Sequence, residues 1–119
     1  MSDDITITKR VYVCAPLAGD IKANCERVER EVKKLIKEWE DSHGDHIRPL
    51  FIVPHFVMRG ITYNTEEGEG NRKWGMACCL ELVSMCDELV VVGDNITVGM
   101  WDEIQRAITL GKKVTRRGA

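Results

Sequence analysis

Glu103 stands four residues after Gly99, at the head of an apolar-periodic segment that follows the strand-like run Glu88-Leu-Val-Val-Val92. A carboxylate near the C-terminal end of a strand can act as a nucleophile or a general base. Read only as a first-turn glutamate, the same residue needs no more explanation than the helix dipole. Asp94 and Asp102 add nearby carboxylates open to the same two readings. Tyr12, flanked by valines, is expected to bury its ring and hold its hydroxyl at the rim of the core. Ala18-Gly19-Asp20 and Thr97-Val-Gly99 each join a strand to a helix N-terminus, where free amides and the macrodipole favour an anion such as phosphate. Neither is a P-loop or a G-x-G-x-x-G motif, and Thr97 serves equally well as a plain N-cap. His55 follows Pro54 at the end of another strand-like run. His43, Asp45 and His46 carry ligand atoms, but their spacing matches no usual zinc pattern, so no metal site is expected. Cys14, Cys78 and Cys79 read as small packing groups, and no cysteine nucleophile is implied without a located base.

The elements that must position these residues follow from periodicity. Arg10–Ala15 is a β-branched run closed by Pro16, the first strand. From Asp20, a candidate N-cap, the apolar positions Ile21, Cys25, Val28, Val32, Leu35, Ile36 and Trp39 step by threes and fours, as on one face of a helix. Its charged residues are read as a solvated face. Asp41–Asp45 supplies turn residues, and Pro49–Val53 is the second strand, closed by Pro54. The 17 residues from His55 to Asn71 hold three glycines and an acidic run without periodicity, which predicts a mobile lid or binding loop. A second helix is expected over 72–86, carrying Trp74, Ala77, Cys78, Leu80, Leu82 and Met85. Glu88–Val92 reads as a central parallel strand covered on both faces. A third helix is expected to turn Trp101, Ile104, Ala107 and Ile108 inward and to stop at Gly111. Lys113–Thr115 is a short last strand.

Alternating strands and helices imply right-handed crossovers and a parallel sheet covered on both sides. The expected fold is a single-domain α/β protein, a three-layer α/β/α sandwich of Rossmann or flavodoxin type with a four- to five-stranded parallel sheet, spanning residues 1–119. Such sheets bind ligands beyond the carboxyl ends of their strands. That selects Pro16, Leu17, Ala18, Gly19 and Asp20 after the first strand, Pro54-His55 after the second, and Gly93 to Gly99 after the third.

Composition bounds the function classes. The chain has 119 residues, 44% apolar and 30% charged, which excludes collagenous, disordered and membrane-spanning chains. With 17 Lys+Arg against 19 Asp+Glu the net charge is −2, leaving no basic surplus of the kind a dedicated nucleic-acid binder uses. The five cysteines are odd in number and lack zinc-like spacing, so they are expected to be reduced thiols. The start, Met1-Ser-Asp-Asp-Ile5, has no cationic segment leading into an apolar one, and a cytoplasmic protein is expected.

Val11-Tyr-Val-Cys-Ala-Pro-Leu-Ala-Gly-Asp20, Pro54-His55, Cys86-Asp-Glu-Leu-Val-Val-Val-Gly93, Val98-Gly-Met-Trp-Asp-Glu-Ile-Gln-Arg-Ala107 and Leu110-Gly-Lys-Lys-Val114 are informative as an ordered set. Over about Arg10 to Val114 the chain resembles the nucleoside 2-deoxyribosyltransferase-like superfamily, in particular a small branch of it common in phages and prophages. Members include nucleoside deoxyribosyltransferases and deoxynucleoside 5′-monophosphate N-glycosidases, which cleave the bond between base and deoxyribose through a glutamate in a G-x-x-x-E segment. The resemblance places that segment at Gly99-Met-Trp-Asp-Glu103 and makes Glu103 the nucleophile, with the Tyr12 hydroxyl orienting it. A carboxylate suits a glycosidic centre that acquires oxocarbenium character and can be captured as a glycosyl ester. The resemblance also implies phosphate binding by Leu17, Ala18, Gly19 and Thr97.

One position departs from the family pattern. Relatives carry an aspartate on the second helix that contacts or protonates the base, and here the position is Cys79, which cannot replace a carboxylic acid near pH 7. Asp94, His55 or an acidic residue of the 55–71 loop is left to supply the proton, or the site binds a nucleotide without cleaving it. The expected function is N-glycosidic cleavage or deoxyribosyl transfer on a nucleoside or nucleotide. The alternative is a nucleotide-binding or sequestering protein of the same fold. No cofactor is implied. The expected partners are a small molecule and further copies of the chain, as a homodimer or larger, with Trp74, Met76, Met100 and Trp101 as an apolar contact surface. A nucleic-acid polymer or a membrane is not expected as a partner.

Overall fold

A computed structural model of the chain describes residues 4–16, 21–54 and 69–117. Among these, four strands and three helices alternate: β1 (Thr6–Cys14), α1 (Ile21–His43), β2 (Ile47–Ile52), α2 (Glu69–Met85), β3 (Glu88–Val92), α3 (Val98–Thr109) and β4 (Lys113–Arg117). All strand pairs are parallel, in the order β2-β1-β3-β4. The result is a single α/β domain with the expected three layers and the lower strand number of the expected range. Chain order and sheet order part between β1 and β3, and the topological switch point of such a sheet lies there, outside the strands' carboxyl ends.

The two faces of β1 divide the core. Val11, Val13 and Ala15 point to one side and join Val28 and Val32 of α1 with Val90 and Val92 of β3. Tyr12 and Cys14 point to the other, where Cys79 and Val83 of α2 and Met100, Ile104 and Ala107 of α3 cover Leu89 and Val91. This is the period-two alternation of a strand buried on both faces. β1 is longer than its apolar run because Thr6 and Ile7 pair with Ile47 and Arg48 of β2, and backbone pairing does not require burial.

Helix phase is where the structure corrects the sequence reading. On α3 the buried stripe is Met100, Glu103, Ile104 and Ala107. Trp101 and Ile108, expected inward, are exposed, because they follow the stripe by one residue and so lie about 100° round the helix. Met100, expected at an oligomer surface, is buried instead. On α2 the buried positions are Gly75, Cys79 and Val83, at steps of four, while Trp74, Ala77 and Met85 are exposed. α2 begins at Glu69, so residues 69–71 of the expected loop are helical, and 55–68 lie outside the described residues. Gly111 ends α3 as expected, with φ +72°, the left-handed conformation that glycine adopts without steric cost. His43 stacks on Trp39, ring centroids 3.7 Å apart, which places it in the packing at the end of α1.

Candidate active site

Tyr12 is two residues from the carboxyl end of β1 and Cys14 is its last residue, so both project from one face at the switch point. In register they lie beside Leu89 and Val91 of β3. α3 crosses this face, and its inward stripe carries Glu103, the one charged side chain buried among the described residues. Glu103 sits in the second turn of α3, not the first, so its position answers to the sheet below it and not to the helix N-terminus.

The Tyr12 hydroxyl donates to Glu103 Oε1 in a buried hydrogen bond. Cys14 Sγ lies 3.7 Å from Glu103 Oε2 and 3.7 Å from the Met100 carbonyl oxygen. Cys79 of α2 is buried in the same cluster as Tyr12 and Cys14. Glu103 is thus 7% exposed and bounded by a phenol and a thiol on its two oxygens.

Burial pushes the Glu103 carboxyl up from 4.5 to about 7; the Tyr12 and Cys14 hydrogen bonds oppose the rise and Asp102 adds to it. Burial, reinforced by the Glu103 charge, also drives the Tyr12 phenol and the Cys14 thiol far above their ordinary values, so both remain neutral donors. A carboxyl that titrates near neutrality at a sheet's switch point is suited to covalent or acid–base work.

The remaining candidates divide. Thr97 is the N-cap of α3: its Oγ1 accepts from the Met100 backbone N–H at 3.2 Å, and among the described residues its hydroxyl proton and second lone pair have no further partner. Gly99 lies close against α2, since a Cβ there would meet Met76 Sδ at 3.3 Å. Asp94 is exposed in the turn after β3, which Gly93 opens at φ +97°, and Arg116 holds that turn through the Asp94 carbonyl at 3.0 Å. Pro16 is half-buried just beyond β1. Leu17, Ala18, Gly19, Asp20 and His55 lie outside the described residues. Beside the N-terminus of α3, Ile96, Thr97, Val98 and Trp101 line a shallow depression of about 360 Å³.

Sequence reasoning treated Cys14 as packing and missed its contact with Glu103. The available signal was the Tyr12-x-Cys14 spacing, which puts both side chains on one strand face. Among the described residues no group of three His, Cys, Asp or Glu side chains converges as a metal site would require.

A profile of the family described as a domain of unknown function, DUF7768, matches residues 9–117. No curated protein sequence matches the chain. Among solved structures, that of a 2-deoxyribosyltransferase from the psychrotolerant bacterium Bacillus psychrosaccharolyticus superposes with a TM-score of 0.60 at 18% identity. The match covers 90% of this chain and 70% of that one. That enzyme is described as a biocatalyst for the synthesis of nucleosides. At this identity the likeness establishes a shared fold.

Proposed function

The chain belongs to the DUF7768 family, and from that premise we propose that it cleaves or transfers the N-glycosidic bond of a nucleoside or nucleotide, with Glu103 as nucleophile. The observation that carries the reading is the buried hydrogen bond between Tyr12 and Glu103 at the switch point of a deoxyribosyltransferase-like fold. In the proposed reaction, ionised Glu103 attacks the anomeric carbon while the C–N bond breaks and its electron pair leaves with the base. The base gains a proton from an acid, and water or a second base then displaces the carboxylate from the glycosyl ester. Tyr12 keeps the carboxylate oriented.

Asp94 is the group assigned to protonate the leaving base, on the ground that it is an exposed carboxyl at the end of the central strand. Thr97, Gly99 and the residues from Pro16 to Asp20, with His55, are assigned to the sugar and any phosphate, on their places at the strand ends. The kinship with monophosphate N-glycosidases belongs to the same proposal. So does self-association: Trp74 and Met85 on α2 and Trp101 and Ile108 on α3 are exposed apolar side chains on two helices that pack together.

Cys79 favours a second reading. It is buried in the same cluster as Tyr12, yet it offers no carboxylic acid to the base, which suits a protein that binds a nucleotide without turnover. One experiment separates the two. The protein is incubated with a panel of nucleosides, deoxynucleotides and NAD-like dinucleotides, and free base is detected by chromatography beside Glu103→Gln. Base released by the wild type alone supports cleavage. No release from either protein, with a nucleotide raising the melting temperature of both, supports the binding module.

A further inference from the structure

Glu103 is oriented by more than Tyr12. We propose that Cys14 is a positioning residue of Glu103, holding Oε2 while Tyr12 holds Oε1. The proposal deepens the N-glycosidase reading and rests on it for its kinetic consequences.

Oε1 accepts from Tyr12 and Oε2 is approached by Cys14 Sγ at 3.7 Å, within the longer reach that sulfur requires. The Cys14 thiol has one proton and two acceptors at equal distance, Oε2 and the Met100 carbonyl, so it ties the carboxylate to the backbone one turn earlier on its own helix. β1 therefore holds both oxygens of a carboxylate that α3 carries, Oε1 through Tyr12 and Oε2 through Cys14.

A thiol suits this place for electrostatic reasons. A carboxylate there would set a second anion beside Glu103 in a buried pocket, which disfavours ionisation of the pair. A hydroxyl would donate more strongly and lower the basicity of the nucleophile, whereas a thiol is a weak donor that orients at little cost to reactivity. The Cys14 thiol is fully buried and so acts as a neutral donor and not as a redox centre. The titratable groups acting on Glu103 among the described residues are Tyr12 and Cys14 from β1 and Asp102 from its own helix.

The test uses the full chain and two variants, Cys14→Ala and Cys14→Ser. The carboxyl ¹³C resonance of Glu103, assigned by difference from Glu103→Gln, is titrated with pH, and kcat and KM for base release are measured in parallel. The alanine variant is expected to raise the Glu103 midpoint and to lower kcat by roughly three- to tenfold with KM little changed. The serine variant, a stronger donor, is expected to bring the midpoint back to the wild-type value or below it. An unchanged midpoint in the alanine variant overturns the role of Cys14, and so does a shift that serine fails to reverse at all. The titration needs no substrate, so an absence of base release defeats the proposed function while the midpoints still judge the positioning. Should the alanine variant not fold, the S–H stretching band of the wild type decides for Cys14. A band that moves when Glu103 becomes Gln supports the contact, and one that does not overturns it.

Discussion

Tyr12 and Glu103, 91 residues apart in the chain, share a buried hydrogen bond in which the phenol of β1 donates to Oε1 of α3. The bond joins the central strand to the helix that crosses it, so it constrains tertiary packing and the ionisation of one carboxyl at once. Most of the expected behaviour of the protein follows from that coupling.

Stability should fall as pH rises through neutrality. Burial lifts Glu103 from 4.5 to about 7, so the folded state holds a proton that the unfolded chain has already lost between those values. The contribution of that proton is full below pH 4.5 and is lost as pH rises through about 7, a change on the order of 3 kcal/mol. Glu103→Gln cannot ionise and should lack this component, becoming more stable than the wild type at pH 8. Urea unfolding of both proteins from pH 5 to 8 measures the difference, and a constant difference across that range would count against the burial argument.

Base release should follow the ionised form of Glu103. On a 7-methylpurine nucleoside, whose base needs no proton to leave, the rate is expected to rise with pH through about 7 and then to level. Tyr12→Phe removes the stronger of the two donors that hold the carboxyl down, so its profile should shift to higher pH and its plateau should fall. A pH–rate profile of the two proteins checks this, and coincident midpoints would detach Tyr12 from the ionisation of Glu103.

Asp94→Asn should discriminate between substrates. The variant is expected to lose most activity on ordinary deoxynucleosides, whose base must be protonated to leave. It should retain activity on a 7-methylpurine nucleoside, whose base departs as a neutral molecule. Equal losses on both, measured as kcat/KM, would assign the proton to another group.

Thr97 caps α3 through the Met100 amide, so Thr97→Ala should cost about 1 kcal/mol of stability and Thr97→Ser should retain most of it. In the proposed site the remaining capacity of the hydroxyl serves a phosphate. Thr97→Ala is then expected to weaken a nucleoside monophosphate by more than it weakens the nucleoside. Calorimetric titration of the pair tests this, and equal weakening would leave the cap as the whole role of Thr97.

Trp74 and Trp101 are each 51% exposed on the α2–α3 side of the domain. The protein is expected to self-associate at micromolar concentration, and the double variant Trp74→Lys, Trp101→Lys is expected to be monomeric and folded. Light scattering after size exclusion reads both, and a wild-type monomer would remove any shared site.

Strand runs, the α1 stripe and the alternation of elements were legible in the amino-acid sequence, because burial of apolar side chains repeats with the period of the backbone that carries them. The same logic put Tyr12 and Cys14 on one face of β1 and marked Glu103 as a carboxylate near a strand end. It did not determine the rotational phase of α2 and α3. Their apolar residues outnumber the buried positions, and only contact with Leu89 and Val91 selects Met100, Glu103, Ile104 and Ala107 over Trp101 and Ile108. Nor did it bring Cys14 to Glu103, a contact between residues 89 positions apart. Helix phase and cross-element contact depend on how three elements settle against one sheet, and that packing is what turns a common first-turn candidate into a buried carboxyl titrating near neutrality.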